Sequence, residues 1–514
     1  MAGDRVSGSP GAKFRMTDHR SFSGQIADRF ENSRWPLATL LAVCIARLWL
    51  VPLPSSFWVD ELVTLFVVRH PGDASFAVAP QVPQSIYYWL PRAAQAIGGT
   101  SEIAYRIPSM LAMAVTLWLV ARLAARLIHP RAGWFAVFAA LSIRGIDYFA
   151  LDARPYALGM MMASASLYFL VRWLDSAQWR DAAAFVFCAA LVWRVHLLYW
   201  PFYVTIALYA AFRLADGSSR VRWPQYLTVA LATAISLLPQ AINALLLAHG
   251  AQSHVIVPPP TLHVFEHELH WNVPLLCGAA AWLLTRRRAQ GEIPRSAWVL
   301  ILGWWLCHPF CLYFYSWFTG NGVYLGRYLS LMLPGAALAA TAVVARWMPP
   351  NKWRIAAAGM AIAAFLFQGH LGSVLFRHDV SDWRAAAQEV NRFAPDSSVP
   401  VIAPSPFIEA RPPAWTPAYS LPGFLYAQLD GYPIAGKPYP LPFDSPINTP
   451  EGLRYGDELV RGGQLSRPGK WAIYGPERHV RDWRKWFSAR PEFAAWRSTL
   501  QEFGDVYVAE FQRD

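Results

Sequence analysis

Two adjacent carboxylates, Asp60 and Glu61, follow the first long apolar segment of the chain and are the residues best suited to chemistry. Charged side chains at membrane depth cost about 2.5 to 3.5 kcal/mol each at a helix centre, so they usually face a cavity and mark function. Neighbouring side chains point in different directions, so one carboxylate is expected to work and the other to support it. The alternative is that Asp60 only caps a helix beginning at Glu61.

Three arginines stand where apolar segments begin on the same side of the chain: Arg106, Arg154 and Arg327. The fork of a guanidinium group suits bidentate binding of a phosphate. Together these arginines could hold the phosphate of an anionic lipid. The alternatives are contacts with lipid headgroups and, for Arg154, a surface ion pair with Asp152.

Histidines offer a candidate metal site in the polar stretch 249–271. His263, His267 and His270 can share one helical face, so a zinc site is conceivable, but a mobile polar lid is the preferred interpretation. The five cysteines all fall in apolar segments and are interpreted as packed thiols. The sequence therefore predicts no obligatory cofactor, although a divalent metal remains possible.

The elements that must position these residues are membrane helices. The chain of 514 residues is 55% hydrophobic and 15% charged, with 25 tryptophans, which is typical of a polytopic membrane protein. Its net charge of +12 lies mostly in short loops, where membrane orientation explains it better than nucleic-acid binding. A span needs about 20 mostly apolar residues, and about eleven segments meet this criterion. They are 36–54, 107–128, 132–149, 156–174, 181–197, 199–214, 225–247, 272–285, 298–317, 325–345 and 355–375.

The sequence predicts a mainly α fold, a transmembrane bundle with a small C-terminal soluble α/β domain. Residues 1–35 are expected to form a cytoplasmic tail, 36–375 the membrane domain and 376–514 an external domain, because the basic loops lie on the side of the N-terminus. The first external loop, 55–105, is predicted to carry two amphipathic helices, Glu61–His70 and Gln84–Ile97, lying on the outer leaflet. In the external domain we expect a helix and three strands, Asp382–Phe393, Val399–Ala403, Trp471–Tyr474 and Val506–Phe511.

Five short strings stand out by their order and their placement at the ends of apolar segments. They are Trp58-Val59-Asp60-Glu61, Glu102-Ile103-Ala104-Tyr105-Arg106-Ile107-Pro108-Ser109, Asp152-Ala153-Arg154-Pro155-Tyr156-Ala157-Leu158, Gly326-Arg327-Tyr328-Leu329 and Asp382-Trp383-Arg384-Ala385-Ala386. In this order and placement they resemble the GT-C class of integral-membrane glycosyltransferases, which includes protein O-mannosyltransferases and the aminoarabinose transferases that act on lipid A. One departure lies in the first loop, where this chain reads Pro83-Gln84-Ser85-Ile86-Tyr87-Tyr88 and relatives often have a basic residue followed by Pro-Pro-Leu-Tyr-Tyr.

The resemblance implies transfer of a sugar, with inversion, from a polyprenyl-phosphate donor to an envelope lipid, polysaccharide or protein outside the bacterial inner membrane. Asp60, with Glu61 beside it, corresponds to the class's catalytic carboxylate. Arg154, Arg327 and Arg106 would bind the donor phosphate, with Asp152, Tyr156, Tyr87 and Tyr328 in support. Two alternatives remain at this stage: a transporter or flippase of envelope lipids, and a non-catalytic assembly protein. No internal repeat is found, which weakens the transporter interpretation.

Overall fold

A computed structural model describes residues 35–251, 258–285, 292–368, 377–444 and 449–513 of the chain. The predicted N-terminal tail therefore lies outside the described residues, except for Trp35. Residues up to Phe367 are almost entirely helical, whereas a five-stranded sheet occupies the C-terminal part. A bundle of membrane helices with a small α/β unit is thus the observed fold class.

Among the described residues, six helical stretches are long and apolar enough to cross a membrane, and three shorter apolar helices accompany them. The six are Glu102–Leu127, Tyr156–Ser176, Leu197–Ala215, Trp223–Leu247, Arg295–Thr319 and Gly326–Ala345; the shorter three are Trp35–Leu50, Asn272–Thr285 and Trp353–Phe367. The helices up to residue 367 are α1 (Trp35–Ile45), α2 (Val59–Arg69), α3 (Trp89–Gly98), α4 (Glu102–Leu127), α5 (Gly133–Leu141), α6 (Arg144–Ala150), α7 (Tyr156–Ser176), α8 (Trp179–Val195), α9 (Phe202–Ala215), α10 (Trp223–Ala251), α11 (Leu262–Glu268), α12 (Asn272–Thr285), α13 (Arg295–Thr319), α14 (Leu333–Ala345) and α15 (Trp353–Phe367).

Two of the predicted spans differ from expectation. Segment 132–149 is broken, because α5 ends at Leu141 and α6 begins at Arg144, with Ile143 in an extended conformation between them. The Gln368 side chain, from the end of α15, donates a hydrogen bond to the freed carbonyl of Ser142. Segment 181–197 is the 17-residue helix α8, which carries charges at both ends. In the part of the chain that the structure describes, six helical stretches rather than the expected eleven are long and apolar enough to span a membrane.

Helix α14 lies at the centre of the bundle and consists largely of small residues. The most apolar 18 residues of the stretch Gly326–Ala345, which contains α14, are 89% buried, compared with 11% for those of Trp223–Leu247 in α10. A Cβ atom on Gly335 would lie only 2.7 Å from the backbone nitrogen of Trp305, so glycine is required for the close approach of α14 to α13. Small residues allow membrane helices to approach closely, and this packing fixes the segment that precedes α14.

The loop 55–105 is folded against the rest of the protein. Eight consecutive residues of α2, Glu61 to Val68, are buried, so this helix does not lie on the outer leaflet as predicted. Tyr87 and Tyr88 are likewise buried, whereas Trp89 at the start of α3 is 69% exposed. The amphipathic pattern of α2 was misleading because the C-terminal part of the chain packs over its outer face.

The C-terminal part forms a mixed sheet with the strand order β2-β1-β3-β5-β4. Strand β1 is parallel to β2 and β3, whereas β5 is antiparallel to β3 and β4. The predicted helix and three strands are present, and two further strands, β2 and β4, were not predicted. The elements are α16 (Trp383–Phe393), β1 (Pro400–Pro404), α17 (Ala427–Gly431), β2 (Lys437–Leu441), α18 (Pro450–Arg461), β3 (Lys470–Pro476), α19 (Glu477–Ser488), β4 (Trp496–Phe503) and β5 (Val506–Arg513).

The two faces of this sheet belong to different hydrophobic clusters, because successive side chains of a strand point to opposite faces. On one face, Val401 and Val508 join α16 in a cluster that continues through α2 into the membrane helices. On the other face, Ile402 and Ala509 pack with α19 in a separate, smaller cluster. The C-terminal unit therefore shares its core with the bundle.

Candidate active site

The two carboxylates stand at the start of α2, in a segment that we call the acid turn (residues 57–61). Trp58 is extended, with φ −89° and ψ 173°, and the helix begins at Val59. The backbone N–H of Trp58 donates to a Glu61 carboxylate oxygen at 3.3 Å, which satisfies one of the free donors at the helix start. This turn directs Asp60 and Glu61 into two different environments.

Glu61 is fully buried and forms a bidentate pair with Arg106 of α4. The guanidinium Nε lies 2.8 Å from one carboxylate oxygen and Nη2 lies 2.5 Å from the other, and both side chains are 0% exposed. The backbone N–H of Ala153 also donates to Glu61, at 2.8 Å. The pair thus joins three of the strings singled out in the sequence.

The remaining donors of Arg106 are also used within the protein. Its Nη groups donate to the backbone carbonyls of Leu53, Ser55 and Ser56 at 2.7 to 3.0 Å. Arg106 is therefore not at the outer surface, as binding of a donor phosphate would require. Its guanidinium instead holds the chain that leads into the acid turn. For both Glu61 and Arg106 the geometry favours a structural role.

Asp60, in contrast to Glu61, is partly exposed to solvent. Its side chain is 18% exposed, and one carboxylate oxygen lies 2.8 Å from Nη1 of Arg327, whose side chain is 37% exposed. Nη1 of Arg154 donates to the backbone carbonyl of Asp60 at 3.2 Å. The aspartate and two of the three predicted arginines, which are far apart in the sequence, therefore meet.

Arg154 has spare hydrogen-bonding capacity, because its Nε is buried and has no hydrogen-bond partner among the described residues. Its surroundings include the side chains of Tyr88, Asp60 and Tyr156. A buried donor without a partner costs free energy, so the free Nε of Arg154 favours binding of an acceptor group at this site.

Arg327 is held in place through the backbone of its own segment, the 3₁₀ helix Gly326–Met332. The His308 ring donates to the carbonyl of Tyr328 at 2.9 Å, and the hydroxyls of Ser330 and Tyr199 lie 2.8 Å apart. The Arg327 side chain lies over the Tyr328 ring, 5.3 Å from its centroid. A rigid backbone thus carries a side chain that can change its partner.

Aromatic rings surround these charges. The half-buried ring of His196 lies 6.0 Å from Tyr156 and 5.1 Å from Tyr328, measured between centroids. The predicted supporting residue Tyr87 is buried behind Arg154, where its hydroxyl lies 3.2 Å from Ser109 Oγ. His196 was missed in the sequence, and its only signal there was a histidine among aromatic residues at the end of an apolar segment.

A second layer of polar groups lies beneath the acid turn. The indole nitrogen of Trp58 donates to Asp152 at 3.0 Å, and His378 Nε2 lies 4.0 Å from the same carboxylate oxygen. Burial raises the pKa of Asp152 well above its usual value and lowers the pKa of His378 well below its usual value, so burial favours the neutral form of both side chains. The alternative of a surface ion pair between Asp152 and Arg154 is wrong, because Asp152 is fully buried.

Glu61, Asp152 and His378 are the one group among the described residues whose donor atoms converge closely enough to hold a metal ion. Asp152 Oδ2 and His378 Nε2 have no hydrogen-bond partner there, which suits a ligand. Both oxygens of Glu61, however, are bonded to Arg106. The group therefore offers two free ligand atoms beside a guanidinium, which is a poor fit for a divalent cation.

The alternative histidine site does not form. Helix α11 ends at Glu268, and His270 lies beyond it with a positive φ of 51°, so His263, His267 and His270 do not share a helical face. His263 and His267 are exposed. Residues 252–257 of the proposed lid lie outside the described residues, and Phe265 anchors the following helix against Tyr313 at 4.7 Å.

A cavity of about 220 Å³ adjoins the second layer. Tyr148 and His378 line it, together with Asp147 and the arginines Arg144 and Arg377, whereas Asp60 does not. The acid turn, Arg154 and Arg327 thus form a site separate from this cavity. At this site the Asp60 carboxylate can accept a proton, and the two guanidinium groups can bind an anion.

Known proteins resemble this chain in part of its sequence and in its fold. Residues 83–242 match the family model described as dolichyl-phosphate-mannose-protein mannosyltransferase. The structure of ArnT from Cupriavidus metallidurans bound to undecaprenyl phosphate superposes with a TM-score of 0.55 and 10% identity, over 93% of this chain and 98% of that one. The apo structure of the same protein gives 0.55 and 11% identity over the same shares.

A more partial likeness is found to arabinosyltransferase EmbB from Mycobacterium smegmatis, with a TM-score of 0.42 and 17% identity over 64% of this chain and 32% of that one. No curated protein matches the sequence. The match over residues 83–242 and the fold shared with ArnT confirm the resemblance to GT-C membrane glycosyltransferases that was read from the sequence.

Proposed function

We propose that the protein transfers a sugar from a polyprenyl-phosphate donor to a hydroxyl group of an envelope acceptor, with inversion at the anomeric carbon. The acceptor is a lipid, a polysaccharide or a protein at the external face of the inner membrane, with the N-terminus in the cytoplasm and the C-terminal unit outside. The single observation that carries the proposal is the meeting of Asp60 with Arg327 and Arg154 at one partly open site.

Asp60 acts as the general base in this reaction. Its carboxylate takes the proton of the acceptor hydroxyl while that oxygen forms a bond to the anomeric carbon. The bond from that carbon to the phosphate oxygen breaks on the opposite face of the sugar, through an oxocarbenium-like state. The electron pair leaves with the polyprenyl phosphate, so the products are the glycosylated acceptor and the lipid phosphate.

The two arginines stabilise the departing phosphate. Preorganised donors aimed at a developing charge are the strongest source of rate acceleration in a site sheltered from water. Arg154 supplies its unpaired Nε, and Arg327 supplies a guanidinium that lies on the accessible side. No step is assigned to a metal, because both Glu61 oxygens at the one convergent ligand group are engaged by Arg106.

Donor binding also prepares the base. Without a donor, Arg327 neutralises Asp60 through one contact at 2.8 Å. A donor phosphate competes for the same guanidinium and draws it from the carboxylate, since phosphate accepts a bidentate guanidinium well. The Asp60 carboxylate is then released from its ion pair and can accept a hydrogen bond from the acceptor hydroxyl.

The donor proposal is supported by the fold shared with ArnT, whose structure holds undecaprenyl phosphate. A lipid carrier also suits a site at the outer ends of apolar helices, because the tail stays among the helices while the sugar reaches the acid turn. The charges lie at helix ends rather than at mid-membrane, which disfavours a transporter or flippase. A non-catalytic assembly protein would not need a base beside two anion-binding groups.

The test uses purified full-length protein in lipid nanodiscs, incubated with a panel of labelled polyprenyl-phosphate sugars and envelope extract. We expect label to appear on an acceptor with the wild type and to fall by about 10²- to 10⁴-fold with Asp60→Asn, the usual contribution of a general base. Asp216→Asn, at an exposed loop, is the matched control and should leave transfer unchanged. Full transfer by Asp60→Asn would refute the assignment.

A further inference from the structure

The C-terminal unit reaches the acid turn through one tyrosine. The hydroxyl of Tyr432, which directly follows α17, accepts the backbone N–H of Phe57 at 2.8 Å. It donates to Glu102 at 2.7 Å and lies 3.3 Å from Ser56 Oγ. The Phe57 amide precedes Asp60 by three residues, so this bond acts directly on the segment that carries the base.

A second residue of the C-terminal unit secures the chain just before the turn. The backbone N–H of Arg384 donates to Ser56 Oγ at 3.1 Å, and its guanidinium donates to the carbonyl of Pro54 at 2.8 Å and to Glu102 at 3.2 Å. The same unit thus holds the chain from residue 54 to residue 57.

Packing along α2 leaves little freedom for this arrangement. A Cβ atom on Gly431 would overlap the side chain of Leu62 and lie 3.3 Å from Leu65, so α17 lies directly against α2. At the far end of α2, Asp430 bonds to Arg69 at 3.2 Å and to His70 at 3.0 Å. These contacts dock the unit but do not touch the acid turn.

On the membrane side, the turn is held by the Glu61–Arg106 pair and, at Trp58, by the indole, which donates to Asp152. Tyr432 and Asp152 therefore hold adjacent residues, Phe57 and Trp58, from opposite sides. If either anchor is lost, the backbone can shift relative to Arg154 and Arg327, and displacement of a reacting group by about 1 Å can cost 10²-fold in rate.

We propose that Tyr432 is a positioning residue and that the C-terminal unit completes the site by fixing the acid turn. The proposal rests on the proposed function, in which Asp60 is the base. Tyr432 touches neither donor nor acceptor. It acts through the Phe57 amide, which gives the C-terminal unit a role in the reaction besides any contact with the acceptor.

The experiment compares Tyr432→Phe with the wild type, as full-length protein in nanodiscs. The variant keeps the ring but leaves the Phe57 amide without its acceptor. We expect kcat to fall by about 10- to 100-fold, while KM for the polyprenyl-phosphate sugar changes by less than about twofold. Hydrogen exchange of the peptide spanning residues 55–62 should be faster in the variant, and this readout needs no substrate.

Two controls separate positioning from docking. Tyr439→Phe removes the hydroxyl of a half-buried tyrosine on β2 and should change neither kcat nor exchange at residues 55–62. Asp430→Asn weakens docking at the far end of α2 and should lower the unfolding temperature while leaving kcat within about twofold of the wild type.

The proposal is overturned if Tyr432→Phe keeps wild-type kcat and wild-type exchange, or if Asp430→Asn lowers kcat as strongly as Tyr432→Phe does. Failure of the proposed function would look different, because the wild type would then transfer no sugar from any donor. The exchange comparison would still decide whether Tyr432 fixes the acid turn.

Discussion

Two ion pairs that start from neighbouring residues contrast sharply in this molecule. The Glu61–Arg106 pair is fully buried, bidentate and surrounded by further hydrogen bonds. The Asp60–Arg327 pair has one contact at 2.8 Å, and its side chains are 18% and 37% exposed. Both pairs join α2 to a distant part of the chain, but only the second can exchange its partner.

The difference shows how a short string can serve structure and chemistry together. A buried pair whose donors are all used has nothing to offer a ligand, and its removal leaves an uncompensated charge. A half-buried pair held by one contact contributes less to stability than a fully buried one and can open when a competing anion arrives. We therefore expect substitutions at the first pair to affect folding and those at the second to affect the reaction.

The largest expected effect is that of Arg106→Ala. Removing one partner of a buried pair typically costs about 3–5 kcal/mol, and here Glu61 would remain buried without a counter-charge. We expect a fall of this size in the free energy of unfolding, measured by denaturant titration in detergent. Arg122→Ala, at an exposed position of the same helix, is the matched control. Equal stabilities of the two variants would contradict the assigned role of Arg106.

The next effect is on donor use. Arg327→Ala and Arg154→Ala each remove a charge-assisted contact to the donor phosphate, worth about 1.5–3 kcal/mol, so KM for the donor should rise by about 10- to 100-fold. The measurement is steady-state transfer over a range of donor concentrations. Arg327→Lys should recover only part of the loss, because an ammonium cannot bind bidentately. An unchanged KM in both alanine variants would remove these residues from the donor site.

A smaller effect concerns Asp152 and pH. Burial raises the pKa of its carboxyl in the folded protein, so the folded state keeps a proton that the unfolded state releases above about pH 4. This residue therefore makes stability fall as pH rises from about 4 towards the folded-state pKa. Asp152→Asn removes that contribution, so its unfolding temperature relative to the wild type should rise with pH. A pH-independent difference would show that Asp152 is ionised when folded.

The smallest effect is that of Asp60→Asn on stability. A half-buried pair held by one contact, which solvent and salt can screen, is worth about 1 kcal/mol or less. We expect unfolding temperatures of the variant and the wild type to differ by little at low salt and to converge at high salt. A loss comparable with that of Arg106→Ala would mean that Asp60 is structural, and the contrast between the two pairs would be lost.

Much of this arrangement followed from patterns in the sequence. Apolar segments gave most of the helices, and charges at their ends indicated one side of the membrane. On that basis Asp60, Arg154 and Arg327 were expected together, and the structure brings them together. Their roles in donor binding and proton transfer stay predictions.

Other features depend on contacts that no local pattern records. The sequence does not distinguish Glu61 from Asp60, because their burial depends on Arg106 and on the layer that covers α2. Strand β2, with the sequence Lys437-Pro-Tyr-Pro-Leu441, contains two prolines, which argue against a strand when neighbours are unknown. It forms because it is the edge strand of the sheet, paired only to β1.

The residues that pack over α2 are synthesised long after α2 itself. The contacts of Asp430 with Arg69 and His70 join residues 361 and 360 positions apart in the sequence. At a synthesis rate of about 5–20 residues per second, the apolar surface of α2 waits for about 20 to 70 s before its partner leaves the ribosome. During that interval the emerging chain must be shielded by the membrane surface or by a chaperone, and truncated products would be exposed to proteases.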